Sequence, residues 1–306
     1  MINKNLTAYE KSVKKHGLLF LGPVTVAFSV GFLWPFLQGL YLSFCDFRLV
    51  SEAKLSGFDN YLKAFSDKSF INSFLFTAVF TLVSMIIINV AAFFLAYFIT
   101  RQIRGSKIFE AVFFMPNLIG GIVLGYIWSM IFDGVLSYFG TSVVMDSKYG
   151  FWGMIILLCW QQIGYIMIIY CAGFKGIDES FLEAAYIDGA TQWQTLFKVM
   201  VPNLRETISI CLFLTLSNGF KLFDQNLALT AGMPYVINSD GSNIKTTEML
   251  ALNIYNTFYG SSPFGHGVAQ AKAVVFFVLV ALMGLLQLGL TRGSIVKKDP
   301  SAKASG

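Results

Sequence analysis

Several side chains able to hydrogen-bond lie inside long apolar runs, where an unpaired polar group is costly and so marks either a functional position or a specific helix contact. Gln161 and Gln162 follow Trp160, with Tyr165 one turn on; Asn117 follows Pro116 and precedes Gly120-Gly121; Asn218 and Gly219 make a third cluster. Amides and a phenol exchange hydrogen bonds with hydroxyls, while aromatic faces cover the apolar faces of a pyranose ring. Asn117, Gly121, Gln161, Gln162, Tyr165, Asn218 and Gly219 therefore form a candidate pathway for a neutral sugar. The competing role for the same residues is to join helices, the amides by hydrogen bonds and the glycines by close approach. Asn89 and Gln287, isolated in their runs, suit that second role better. Lys221 and Asp224, at i,i+3, either pair with each other or a neighbouring chain, or face the pathway.

No catalytic or metal site is expected. His16 and His266 are too few and are expected on opposite sides of a membrane. The four cysteines (Cys45, Cys159, Cys171, Cys211) lack metal-ligand spacing and read as small apolar residues.

The elements that must position the polar clusters are membrane helices. The 306-residue chain is 56% hydrophobic and 13% charged, with a mean hydropathy of +0.65, against about 25% charged for an ordinary soluble domain. Uncharged stretches cover 17–45, 69–100, 111–132, 149–174 and 273–291, each near or above the roughly 20 residues that span about 30 Å of hydrocarbon. A weaker sixth, 206–230, is interrupted by Lys221 and Asp224. The expected fold is an all-α membrane protein of about six transmembrane helices. Lys11, Lys14 and Lys15 before the first run imitate a signal peptide, but that run is too long and lacks an A-x-A site. Pro23, Pro35 and Pro116 lie within spans, where neighbouring helices can satisfy the freed carbonyls.

Most of the 22 Lys and Arg fall in 1–16, 100–110, 175–205 and 292–306, which places both termini in the cytoplasm. The expected division is a cytoplasmic N-terminal segment (1–16), one transmembrane domain (17–292) with a cytoplasmic loop (175–205), and a cytoplasmic tail (293–306). The net charge of +5 is spread between the apolar runs, so it reads as a topology signal and not as a nucleic-acid patch. On the outer side, Thr247–Phe258 has the periodicity of a surface helix.

The loop runs Asp178-Glu-Ser-Phe-Leu-Glu183-Ala184-Ala185-Tyr-Ile-Asp188-Gly189-Ala-Thr191-Gln-Trp193-Gln-Thr-Leu196-Phe197-Lys-Val199-Met200-Val201-Pro202. It predicts two short helices about a glycine corner. Ser180/Glu183 and Thr191/Gln194 fit capping boxes, and Gly189 fits a left-handed cap. Trp193, Leu196, Phe197 and Met200 fall at i, i+3, i+4, i+7 and form one apolar face able to bury against membrane helices. That leaves the first helix on the cytoplasmic face, with Ala184 and Ala185 small enough for close approach by another protein.

Glu183-Ala184-Ala185, Gly189 and Val199-x-Val201-Pro202, without a gap, resemble the EAA motif of membrane subunits of binding-protein-dependent ABC importers, with valines where isoleucine and leucine are usual. The whole chain resembles the maltose and multiple-sugar branch of that family, with further echoes in Gly57-Phe-Asp-Asn-Tyr-Leu62, Met115-Pro116 and Thr230-Ala-Gly-Met-Pro234. The resemblance implies the type I ABC importer permease fold. It implies that Glu183 and Asp188 are polar contacts of a coupling helix docked on a cytoplasmic ATPase dimer, with Ala184 and Ala185 its close-packing surface and Gly189 its turn. It also implies a second related permease, an extracytoplasmic sugar-binding protein, surrounding membrane lipid and a location in the bacterial cytoplasmic membrane.

No Gly is followed by Lys anywhere in the chain, so there is no G-x-x-x-x-G-K-[ST] loop to cradle ATP. ATP and Mg are therefore expected on the partner ATPase, and this chain is expected to be a non-enzymatic permease subunit that needs no cofactor of its own. An ion-coupled secondary transporter or channel is the alternative, but it leaves the gapless motif unexplained.

Overall fold

The computed structural model describes residues 17, 21–101, 105–237, 241, 243–260 and 265–298. Lys11, Lys14, Lys15, His16 and the tail from 299 lie outside the described residues. Contacts group the chain into two compact units: residues 1–64 with 257–274, and residues 65–256 with 275–306.

In the first unit, α1 (Leu21–Leu42) is long and apolar enough to cross a membrane, and contains a π-helical stretch at Ser29–Leu33 just before Pro35. A two-stranded hairpin follows, β1 (Cys45–Asp46) with β2 (Lys54–Leu55), and then α2 (Asp59–Ser66). Asn60, 2% exposed, donates from Nδ2 to the carbonyls of Ser43 (3.1 Å) and Cys45 (2.8 Å), fixing the end of α1.

In the second unit, α3 (Lys68–Ile99) and α6 (Ser147–Lys175) are the central helices. Their 32 and 29 residues make rods of about 48 and 44 Å. Both start on an aspartate cap, Asp67 accepting from the N–H of Ser69 and Asp146 from that of Lys148. Between them lie α4 (Ser106–Phe114) and α5 (Gly121–Leu136). After α6 come α7 (Glu179–Ile187), α8 (Gln192–Asn203), α9 (Arg205–Phe220) and α10 (Asp224–Leu229). Then follow a hairpin of β3 (Tyr235–Ile237) with β4 (Asn243–Lys245), α11 (Leu250–Tyr259), whose residues from 257 on belong to the first unit, and α12 (His266–Lys298), which belongs to the first unit up to 274 and to the second from 275. The core is apolar, with Phe80, Ile88, Met154, Leu157, Ile166, Met167 and Cys211 all buried between α3, α6 and α9. One polar tie crosses it: the Tyr170 hydroxyl donates to Asn89 Oδ1 (2.9 Å), and Asn89 Nδ2 donates to Thr215 Oγ1 (2.8 Å). Asn89 is thus a helix-joining amide, as is Gln287, which donates to the Ser209 carbonyl (2.8 Å).

Among the described residues, five helices are long and apolar enough to cross a membrane, and a sixth is obtained if α8 and α9, bent by 73° at Leu204, count as one span. Three expected boundaries move. The run 111–132 is not one helix: Met115–Leu118 forms a 3-10 turn, because Pro116 has no N–H to continue the ladder, and the long helix begins at Gly121. The span expected at 206–230 ends at Phe220, and α10 is a separate short helix. The last helix starts at His266 rather than 273, because Lys272, fully buried, donates to Thr257 Oγ1 (2.8 Å) instead of ending the run. The helix expected on the surface at Thr247–Phe258 starts at Leu250 and buries Leu252 and Asn253, so it is an amphipathic packing helix.

Candidate functional site

Two regions of the second unit carry the residues singled out above. The first is the corner formed by α7 and α8. Asp178, and not Ser180, caps α7, its carboxylate accepting the Ser180 N–H (3.0 Å). That backbone hydrogen bond holds the Asp178 carboxyl below its ordinary pKa. Ser180 sits inside the first turn, so the expected Ser180/Glu183 box does not form. Gly189 adopts φ +72°, a left-handed conformation that L residues avoid. Immediately after it the Thr191/Gln194 capping box forms in full.

Glu183, Ala184, Asp188 and Gly189 are exposed. Ala185 is not: it is 7% exposed and packs inward, so only one of the two alanines is available to another protein. Tyr186 and Ile187, which sequence reasoning passed over, are the most exposed large apolar residues of this corner at 84% and 83%. Both follow Ala184-Ala185 directly in the sequence.

In α8 the backbone is π-helical over Thr195–Met200. Its i→i+5 bonds put more residues in each turn, so the α-period face does not hold. Leu196 is buried and Met200 packs against the core, whereas Trp193 and Phe197 remain exposed and stack on each other at 6.0 Å. The single apolar face expected from all four residues is therefore split in two.

The second region is a cavity of about 360 Å³ lined by Asn117, Gln161, Gln162, Asn218, Lys221, Leu222, Phe223, Asp224 and Gln225. The Pro116 turn, α6, the end of α9 and the start of α10 meet here. Gln161 joins two of them, donating to the freed Ile119 carbonyl (3.2 Å) and accepting from Gln225 Nε2 (2.8 Å). Asn218 Nδ2 donates to Gln162 Oε1 (3.3 Å). Lys221 and Asp224 both face the cavity and make no ion pair with each other. Phe223 tilts against Tyr255 at 5.2 Å. Four of the seven residues expected on the pathway thus converge, and two of the others have packing roles. A Cβ on Gly121 would lie 2.7 Å from Asp224 Cβ, so Gly121 lets α10 close on α5 beside the cavity. A Cβ on Gly219 would lie 2.6 Å from Thr81 Cγ2, so Gly219 serves the α9–α3 contact. Tyr165 packs against the core and is not among the lining residues. Leu222, Phe223 and Gln225, which also line the cavity, follow the charged interruption at Lys221, where the apolar run weakens in the sequence.

The segment that runs from α10 into α11, beginning next to the cavity, is held by buried polar groups. Asn226, fully buried, donates to Thr230 Oγ1 (3.0 Å) and the Thr247 carbonyl (2.8 Å) and accepts the Met249 N–H (3.0 Å). Glu248, 2% exposed, accepts from Asn253 Nδ2 (2.7 Å), Asn256 Nδ2, Ser73 Oγ (3.3 Å) and Ser69 Oγ (3.4 Å), with Lys245 at 3.8 Å. Asn226 and Glu248 thus both find partners, as burial requires.

Residues 88–294 match the family described as the binding-protein-dependent transport system inner membrane component. Over 282 residues the chain is 38% identical to the probable starch degradation products transport system permease protein AmyD of Thermoanaerobacterium thermosulfurigenes, covering 90% of this chain and 93% of the relative. It is 29% identical to the multiple sugar-binding transport system permease protein MsmF of Streptococcus mutans, covering 91% and 96%. Among solved structures it resembles a chain of a bacterial ABC transporter that imports the acidic polysaccharide alginate, with a TM-score of 0.75, 20% identity, and 92% and 97% of the two chains covered. At that identity the likeness shows the fold.

Proposed function

The chain belongs to the inner membrane components of binding-protein-dependent transport systems, and from that premise we propose that it lines half of a sugar pathway opened and closed by a separate ATPase. It is a multi-pass ABC importer permease with no ATP-binding loop of its own. The ion-coupled alternative finds no support among these relatives.

The observation that carries the cargo class is the ring of five amides, Asn117, Gln161, Gln162, Asn218 and Gln225, with the Phe223 ring beside them. Amides match hydroxyls as both donors and acceptors, and the ring supplies an apolar wall. Lys221 and Asp224 leave the cavity without net formal charge, which favours an uncharged ligand. Starch-derived oligosaccharides are the first cargo to try, since a 38% identical relative is named for starch degradation products.

For the driving step, Glu183 and Asp188 present carboxylates, Ala184 gives a flat approach and Gly189 sets the corner, with Tyr186 and Ile187 adding apolar surface for the ATPase to cover. ATP and Mg then act in the ATPase dimer, and this chain needs no cofactor. Closure of that dimer moves α7 and reorients the helices around the cavity, with a second related permease completing the pathway and a sugar-binding protein delivering cargo on the outer side. Both termini and the loop 175–205 lie in the cytoplasm of a bacterial cell, and residues 17–292 form the membrane domain.

The test is to purify the chain from its native membrane in mild detergent and measure accompanying ATP hydrolysis, with and without binding protein and sugar, beside a Glu183→Lys, Gly189→Pro variant. Hydrolysis is expected with the wild type, raised by the cognate sugar, and absent with the variant. A wild-type preparation that carries no ATPase under conditions preserving membrane complexes would falsify the coupling assignment.

A further inference from the structure

The geometry points to Arg101 as a positioning residue that ties the corner contacted by the ATPase to α3, and through α3 to the cavity wall. This inference rests on the function proposed above and names the internal link it needs.

Arg101 stands just beyond the end of α3. Its Nη1 donates to Gln192 Oε1 (3.0 Å) at the first residue of α8, its Nη2 donates to the Tyr97 hydroxyl, and its guanidinium lies 4.3 Å from the Tyr97 ring centroid. Tyr97 is 4% exposed and packs on Phe174 near the end of α6, with ring centroids 6.0 Å apart. The guanidinium is therefore held by a buried ring on one side while it grips, on the other, a residue three positions past the left-handed Gly189. A planar fork with several donors makes both contacts at once, which a lysine cannot do. Gln192 is exposed.

The other end of α3 is tied as firmly. Thr77 Oγ1 accepts the N–H of Leu250 (2.8 Å), Asn72 Nδ2 donates to the Lys245 carbonyl (3.3 Å), and Ser69 and Ser73 donate to Glu248. The adjoining Met249 N–H is bound by Asn226, whose neighbour Gln225 holds Gln161 in the cavity. A continuous helix thus joins two clamps, one on the corner that meets the ATPase and one on the wall that meets cargo. Displacement of the corner reaches the cavity along α3 as well as along the covalent route through α8 and α9. Spatial continuity alone does not establish coupling, so the test measures coupling directly.

The assembled transporter, in proteoliposomes with binding protein, sugar and ATP, is compared as wild type, Arg101→Ala, Gln192→Ala, the double variant and Gln192→Glu, reading sugar taken up per ATP hydrolysed. Each alanine variant is expected to lower that ratio about tenfold, the scale of one charge-assisted hydrogen bond. The double variant is expected to lose no more than either single, and Gln192→Glu, which turns the bond into an ion pair, to keep the wild-type ratio. Single variants with the wild-type ratio, or a double variant whose loss is the product of the two, overturn the relay. Should Arg101→Ala fail to assemble, the exposed Gln192 pair decides, because a merely structural residue would not separate Ala from Glu in this ratio. A wild type without ATPase takes down the functional reading and the relay together, whereas a pumping wild type with unaffected variants takes down the relay alone.

Discussion

The corner at 178–203 and the cradle at 221–250 lie in the same compact unit, yet they are built by opposite means. The corner is shaped by local rules: an aspartate cap, a left-handed glycine and a capping box, with Tyr186, Ile187, Trp193 and Phe197 left outside. The cradle is shaped by long-range ones, with Asn226 and Glu248 buried and bonded to residues up to 179 positions away. The docking role proposed for the corner requires it to hold its form before a partner arrives, and short-range bonds do that without a core. A wall that must keep polar groups facing a ligand inside a membrane protein needs every other polar group satisfied, and a buried network does that. Damage should therefore act differently in the two places: on coupling at the corner, on folding and cargo affinity in the cradle.

The largest expected effect falls at the corner. Gly189→Pro forces φ to about −65° where +72° is required, so uptake is expected to fall by at least about a hundredfold while the protein still inserts and is recovered in normal yield. Uptake assays beside membrane yield check this, and a loss of yield would erase the contrast between the regions. Next comes Asn226→Ala in the cradle, which orphans the Met249 N–H and the Thr247 carbonyl together and is expected to cost about 2–4 kcal/mol of stability, seen as a lower thermal midpoint in detergent. Gln161→Ala removes the link between the Ile119 carbonyl and Gln225. It is expected to raise the uptake KM about tenfold with little change in yield, and an unchanged KM would place the sugar elsewhere. The smallest effect concerns acid. Asp178 titrates below its ordinary range because its charged form accepts the Ser180 N–H, so its support for α7 is fully present above the ordinary carboxylate pKa and is lost as pH falls through the lowered one. Hydrogen exchange of residues 179–187 is expected to quicken over that acidic window in the wild type and to show no such step in Asp178→Asn.

How much was legible follows the same division. The motif from Glu183 to Pro202, Gly189 and the Thr191/Gln194 box could be read directly, since each depends on residues within a few positions. Asn117, Gln161, Gln162 and Asn218 were readable as costly amides in apolar runs, although nothing in their spacing says that they meet. Tyr165, Gly121 and Gly219 do not line the cavity, and residue type alone does not reveal which side of a helix faces it. Gln225 was overlooked because a charged residue precedes it, and Lys272 shortened the last helix for the same reason. Charge was taken as an end to burial, where the structure instead supplies partners. The split of Trp193 and Phe197 from Leu196 is not legible because it depends on how α8 is wound, and the inward turn of Ala185 because it depends on what packs against α7.

That winding has a consequence for chain length. A stretch with i→i+5 bonds, such as Thr195–Met200, is what an α-helix becomes when one residue is inserted and its two ends stay put. Removing one residue there would let the helix close normally with Gln192–Gln194 and Val201–Asn203 still facing as they do now. The same deletion elsewhere in the flanking helices would swing everything downstream by roughly 100°. Between the α7–α8 corner and the bend into α9, these six residues are the place where the chain can lose a residue and keep its aim.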